Sequence, residues 1–155
     1  MIVYFAGDHA GLELKKEMMD FVRLLGHEVE DLGPFEPKSG DDYPDYVIPL
    51  AKKVAGREST EVRGIVVAGS GQGEIIAMNR LPGARAALFC PCNLDLVKAS
   101  RDHNDSNIFA IMGKVRKTLV RNGQRDQADK CVARMKAAGS YDEALGICFD
   151  YVEVE

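Results

Sequence analysis

Reactive side chains and a flexible backbone meet in the segment Val66-Val67-Ala68-Gly69-Ser70-Gly71-Gln72-Gly73-Glu74-Ile75-Ile76-Ala77. An apolar run stops at three alternating glycines, and a carboxylate stands where the next helix should begin. Glycine lets successive backbone N–H groups turn into a concave, anion-attracting surface, and a helix N-terminus adds partial positive charge. Such a loop suits a phosphate or a developing oxyanion, and Glu74 beside it could act as a base. The bland readings are a tight turn and a first-turn carboxylate favoured by the helix dipole. The loop lacks both the Walker lysine and the full dinucleotide-binding fingerprint. Two further groups stand out. Asp8 and His9 follow the first apolar run, and His103, Asn104 and Asp105 precede the last. Taken singly, Asp8 could cap a helix and His103 could be a solvated surface histidine. Taken together, the expectation is that these residues converge with the glycine loop on one rim of the fold.

The elements that must position them alternate. Short runs at 2–6, 28–32, 64–68, 84–89 and 108–112, most of them apolar, read as strands. Helical spacing appears at 12–25, ended by Gly26, and at 46–55, where Pro49 should sit near the first turn or kink the helix. Further helices are expected at 74–80 and 94–101. This alternation predicts an α/β fold, a doubly wound five-stranded parallel sheet with helices on both faces, of Rossmann or flavodoxin-like type. Ligands of such sheets sit at the carboxyl ends of the strands. Beyond residue 115 the pattern predicts helices at 124–138 and 141–149 and a strand or tail at 151–155. With no repeat or linker in the chain, a single domain spanning 1–155 is expected.

Composition narrows the function. The chain has 155 residues, 46% hydrophobic and 28% charged, enough for a core. A net charge of −4 argues against a general nucleic-acid binder, so an anionic ligand needs a local basic pocket. No apolar run approaches the roughly 20 residues of a membrane span. The first residues lack the charged and apolar regions of a signal peptide, and a cytoplasmic protein is expected. Cys90, Cys92, Cys131 and Cys148 show no zinc spacing, and no metal site is expected. Asp41, Asp42 and Asp45 read as a solvated loop face, and His27, just past a helix, as structural. A receiver-domain reading fails: Lys114 is available, but Ala68 and the loop after it offer no phosphorylatable aspartate.

In combination, these residues resemble the ribose-5-phosphate isomerase B family, which includes galactose-6-phosphate and allose-6-phosphate isomerases. The matching pieces are Gly7-Asp8-His9-Ala10-Gly11, Asp42-Tyr43-Pro44-Asp45-Tyr46, Gly69-Ser70-Gly71-Gln72-Gly73-Glu74, Asn79-Arg80-Leu81-Pro82-Gly83-Ala84-Arg85-Ala86-Ala87 and His103-Asn104-Asp105-Ser106-Asn107. They keep the family's order and spacing from residue 1 to about 115. The resemblance implies interconversion of ribose 5-phosphate and ribulose 5-phosphate through a cis-enediolate, without metal or cofactor. Many members use a cysteine at the end of the third strand as base. Ala68 stands there, and the chain is similar to the branch whose base is a glutamate at the position of Glu74. The resemblance further implies that amides around Gly69, Gly71 and Gly73 stabilise the enediolate and that Ser70 holds or shuttles a hydroxyl proton. His103 would open the sugar ring with Asp8 opposite. Tyr43 and Asn104 would contact hydroxyls, and His9 phosphate or a hydroxyl.

The chain also departs from the family. Lys114 replaces an arginine, keeping a point charge but losing the bidentate fork. The usual late G-x-R-H-x-x-R segment, which supplies phosphate-binding arginines in the family, is missing; Arg121 and Arg125 have its four-residue separation but come early, and Arg134 is another candidate for the phosphate. These substitutions leave open a hexose 6-phosphate or rare-sugar substrate, or a non-catalytic partner subunit of the same fold. Homodimers or homotetramers with shared active sites are implied by the family alone.

Overall fold

Short parallel strands, buried on both faces at the centre of the sheet, with helices returning over both sides, build the molecule. The computed structural model describes residues 1–37, 40–58, 60–89 and 94–112. In chain order these form β1 (Ile2–Gly7), α1 (Leu12–Leu24), β2 (Glu28–Asp31), α2 (Pro44–Val54), β3 (Val62–Ala68), α3 (Gln72–Met78), β4 (Ala86–Leu88), α4 (Leu94–Asp102) and β5 (Ile108–Met112). All pairings are parallel, and the sheet order is β2-β1-β3-β5-β4. The doubly wound parallel sheet expected from the alternation is therefore present. Its order departs from the flavodoxin pattern, because β5 inserts between β3 and β4. Burial explains the choice. The Ile108-Phe109-Ala110-Ile111 run is buried throughout and takes an interior position, whereas the three residues of β4 are half-buried and take an edge.

The period-2 alternation of strands sorts the core into two layers. Tyr4, Ala6, Val66, Ala68, Ile108 and Ala110 pack with Val47, Leu50, Ala51 and Val54 of α2 and Met78 of α3. Val3, Phe5, Ile65, Val67, Phe109 and Ile111 pack on the other face with Met18, Met19 and Val22 of α1 and Val97 of α4. The helix expected from residue 46 begins two residues earlier, with Pro44 at its first position, where no N–H is needed. Pro49 lies inside α2 on its exposed side, so the carbonyl it leaves unpaired can face water.

The β1–α1 corner and β3 approach each other closely. A Cβ on Gly11 would lie 2.1 Å from the Val67 carbonyl oxygen, and one on Gly7 would lie 2.4 Å from it. That oxygen accepts the Asp8 N–H at 3.2 Å. Residues 116–155 lie outside the described residues, and with them the expected C-terminal helices and terminal strand; so do Cys90, Cys92, Cys131 and Cys148. Among the described residues, no helix is long and apolar enough to cross a membrane.

Gly11→Ala is expected to lower the unfolding free energy by about 2–3 kcal/mol, and with it the urea midpoint, because the clash is with backbone and cannot be relieved by a rotamer. An unchanged midpoint would show that the β1–α1 corner is looser than this packing requires.

Candidate active site

The strand order reverses between β1 and β3, and the loops that leave these two neighbours part there, forming the crevice in which α/β sheets bind ligands. Asp8 bridges the two loops. Its Oδ1 accepts the N–H groups of Ala10 at 2.8 Å and Gly11 at 3.0 Å, and its Oδ2 accepts the Gly69 N–H at 2.8 Å. Asp8 therefore does not cap α1, whose N-cap is Gly11 without a side-chain bond; it clamps the turn before the helix to the loop after β3. The Gly69 amide, expected among the oxyanion donors, is consumed by this clamp. Its N–H faces a protein carboxylate, so it is removed from the donor set.

Gly71 takes φ +74°, and a Cβ there would meet Leu88 Cδ1 at 2.8 Å, so both its conformation and its packing require glycine. The exposed Ser70 hydroxyl accepts a long, 3.4 Å contact from the Gln72 N–H. The N–H groups of the first turn of α3 have no helical acceptors. Glu74 sits in that turn and is only 4% exposed. Desolvation pushes its carboxyl pKa above the usual 4.5, and the nearby Asp8 carboxylate pushes the same way; a hydrogen bond to its own backbone opposes both. A carboxylate held in a dry site with raised proton affinity is a stronger base than an exposed one.

Tyr43 caps α2 and approaches the same turn: a Cβ on Gly73 would lie 2.8 Å from its hydroxyl oxygen. Its position follows from α2, whose Tyr46 and Val47 N–H groups donate to the Tyr43 carbonyl. His9 is exposed beside Asp8. Asp41, expected as solvated, accepts a 2.8 Å hydrogen bond from the Tyr46 hydroxyl.

His103 and Asn104 do not join this cluster within one chain. They precede β5, and a loop that precedes a parallel strand lies at the edge opposite the loops that follow the strands. The register proves the point: the Gly64 N–H donates to the Asn107 carbonyl, and Arg63 Nη1 donates to the Ser106 carbonyl. From Gly64 to Gly69 the strand rises about 16 Å. The expected single rim is therefore corrected to two opposite edges. The His103 corner is nonetheless well built. Arg85 Nε donates to the Asp105 carbonyl at 2.7 Å and Nη2 to Asp105 Oδ2 at 2.6 Å, holding Asp105 at φ +47°. Asn107, fully buried, accepts the Arg85 N–H and donates to the Gly83 carbonyl. Two of the motif segments singled out in the sequence thus bind each other.

Lys114, Arg121, Arg125 and Arg134, the basic residues that would stand in for the family's phosphate-binding arginines, lie outside the described residues. Among the described residues, no group of three or more His, Cys, Asp or Glu side chains is disposed to hold a metal ion. Sequence reasoning missed one buried cation, Lys15. Its signal was a lysine on the apolar stripe Leu12, Lys15, Met19, Val22 of α1.

A Gly-rich loop, a buried glutamate and a switch-point crevice together fit proton transfer next to an anionic intermediate. Comparison with known proteins gives the family. Ribose-5-phosphate isomerase B of Mycolicibacterium paratuberculosis is 40% identical over 116 residues, covering 74% of this chain and 70% of that protein. The structure of ribose 5-phosphate isomerase B from Anaplasma phagocytophilum superposes with a TM-score of 0.65 at 31% identity, covering 97% of this chain and 83% of that one. The Mycoplasma genitalium enzyme, solved with bound ribulose 5-phosphate, matches with a TM-score of 0.65 at 25% identity, over 88% of this chain and 97% of that one. Residues 3–125 match the family model described as Ribose/Galactose Isomerase, and the chain belongs to that isomerase family.

Proposed function

We propose that this protein interconverts ribose 5-phosphate and ribulose 5-phosphate, with Glu74 as the base. The observation that carries the reading is a single carboxylate, 4% exposed and with raised proton affinity, set directly after the glycine loop at the switch point. In the aldose-to-ketose direction, the Glu74 carboxylate takes the proton from C2 of the open-chain sugar. The C–H electron pair becomes the C1–C2 double bond, and the carbonyl pair moves onto O1. The resulting cis-enediolate meets the amides of Gly71 and Gly73. Ser70 passes the O2 proton to O1, and protonated Glu74 returns its proton to C1 as C2 becomes the carbonyl. Tyr43 and His9 contact hydroxyls or phosphate, and Lys114, Arg121 and Arg125 supply charge for the phosphate. With Ala68 at the end of β3, no thiol there can substitute for Glu74.

The opposite-edge position of His103 and Asn104 supports a homo-oligomer with shared sites. In this reading a second copy brings its α4–β5 corner over the crevice, so that its His103 opens the ring opposite Asp8 and its Asn104 binds a hydroxyl.

Glu74→Gln should lower kcat with ribose 5-phosphate by about 10³-fold while substrate binding persists; near-normal kcat would remove Glu74 as the base. Because Glu74 must be ionised, the acid limb of kcat/KM should fall above pH 4.5. Comparison of pentose and hexose 6-phosphates by kcat/KM checks the substrate.

The same shift predicts stability. Folding raises the Glu74 pKa, so the stability it contributes is present below the unfolded value of about 4.5 and is lost as pH rises through the folded value. Glu74→Gln should therefore raise Tm at pH 7, with the gain closing towards pH 4. A gain that is independent of pH would contradict the burial effect.

Mixing two inactive variants, Glu74→Gln and His103→Ala, after subunit exchange should restore about a quarter of wild-type activity in a two-fold dimer, since half the molecules then carry one intact site. Activity no higher than that of the parents would exclude a shared site.

A further inference from the structure

We propose that Lys15 is a positioning residue for this site: from inside α1 it holds the corner at Gly33 and Pro34 against which Tyr46 packs, and so sets how Tyr43 meets the first turn of α3. The kinetic arm of this inference rests on the isomerase reading; the structural arm does not.

Lys15 occupies the stripe of α1 that faces the sheet, and its side chain is fully buried. A buried ammonium is costly unless every donor is used. Here Nζ donates to Asp31 Oδ1 at 2.5 Å and to the Pro34 carbonyl at 2.7 Å, and stands 5.7 Å from the centre of the Phe35 ring. Asp31 Oδ1 also accepts the Gly33 N–H at 2.9 Å. One cation thereby gathers the end of β2 and the residues after it. Burial lowers the proton affinity of Lys15, and the bond to Asp31 restores part of it. A buried ion pair often adds little net stability over a well-packed apolar pair, but it fixes geometry at several points at once.

The corner it fixes touches the site from two sides. The Gly33 carbonyl accepts the Gly7 N–H at 3.1 Å, immediately before Asp8. Gly33 itself lies at φ +95°, and a Cβ there would come within 2.8 Å of the Tyr46 ring, so the ring rests against the bare glycine. Tyr46 is one helical turn beyond Tyr43 and donates its N–H to the Tyr43 carbonyl at 3.1 Å. Tyr43 in turn reaches Gly73, next to Glu74. The path from Lys15 to the site is thus one ion pair, one carbonyl bond, one packed ring and one helix cap.

The test is a double-mutant cycle of Lys15→Met and Tyr43→Phe. Lys15→Met alone should raise KM for ribose 5-phosphate about tenfold, with kcat changed less than about threefold; on the Tyr43→Phe background the further change should be under about twofold, because both changes remove the same contact. Multiplicative effects on KM would mean that Lys15 acts on stability or elsewhere, and would overturn the proposal. Independently of turnover, NMR of ¹³C-labelled tyrosine should show the Tyr43 and Tyr46 ring signals displaced in Lys15→Met and the Tyr4 signal unmoved. An undisplaced Tyr43 signal in the folded variant would overturn the proposal whatever the substrate. A displaced signal in a wild-type protein background inactive on ribose 5-phosphate would support it and reject only the isomerase reading. If Lys15→Met does not fold, Asp31→Asn carries the same cycle and the same spectra: it keeps an acceptor oxygen for Lys15 and removes the charge.

Discussion

The Asp8 carboxylate is the interaction on which the rest of the crevice depends. It accepts three backbone N–H groups, two from its own corner and one from Gly69 across the switch point. Without it, two neighbouring loops would expose unpaired amides and could drift apart. The bridge is possible because Gly7 and Gly11 leave room around the Val67 carbonyl, which accepts the Asp8 N–H. Any side chain there would push α1 off β3, and the carboxylate would no longer reach Gly69. The glycines read as a motif in the sequence are therefore spacers that allow one acid to join two strands.

That bridge creates the tension at the proposed base. Glu74 lies almost without solvent in the next turn, with the Asp8 charge nearby. Both effects oppose ionisation. Burial and like charge destabilise the folded state at neutral pH but raise the proton affinity that abstraction from carbon needs. The loop opposite is held by different means. An ammonium inside α1 gathers Asp31, Gly33 and Pro34, and the packing of Tyr46 carries that order to Tyr43.

Much of this was legible in the chain. Strand and helix periods placed the elements to within a few residues, because a two-residue and a 3.6-residue repeat of apolar side chains can be read without tertiary information. The glycine loop, Asp8 and Glu74 were legible for the same reason: they follow apolar strands directly. Lys15 was not, since a lysine on a helix reads as solvated until its partners are known. The role of Gly69 was also hidden, because its amide is spoken for by a residue 61 positions away.

The alternation of elements, the parallel sheet they imply and the place of the glycine loop in a strand-to-helix turn are all readable from the residue pattern alone. These follow from local periodicity and backbone sterics. Only the tertiary structure decided that β5 lies inside β4, because that choice compares the burial of two distant strands. The same insertion and the shared direction of the strands decided that His103 and Asn104 stand at the edge opposite Glu74. Nearness along a motif list carries no information about which end of a parallel strand a loop occupies. Strand polarity within the assembled sheet does.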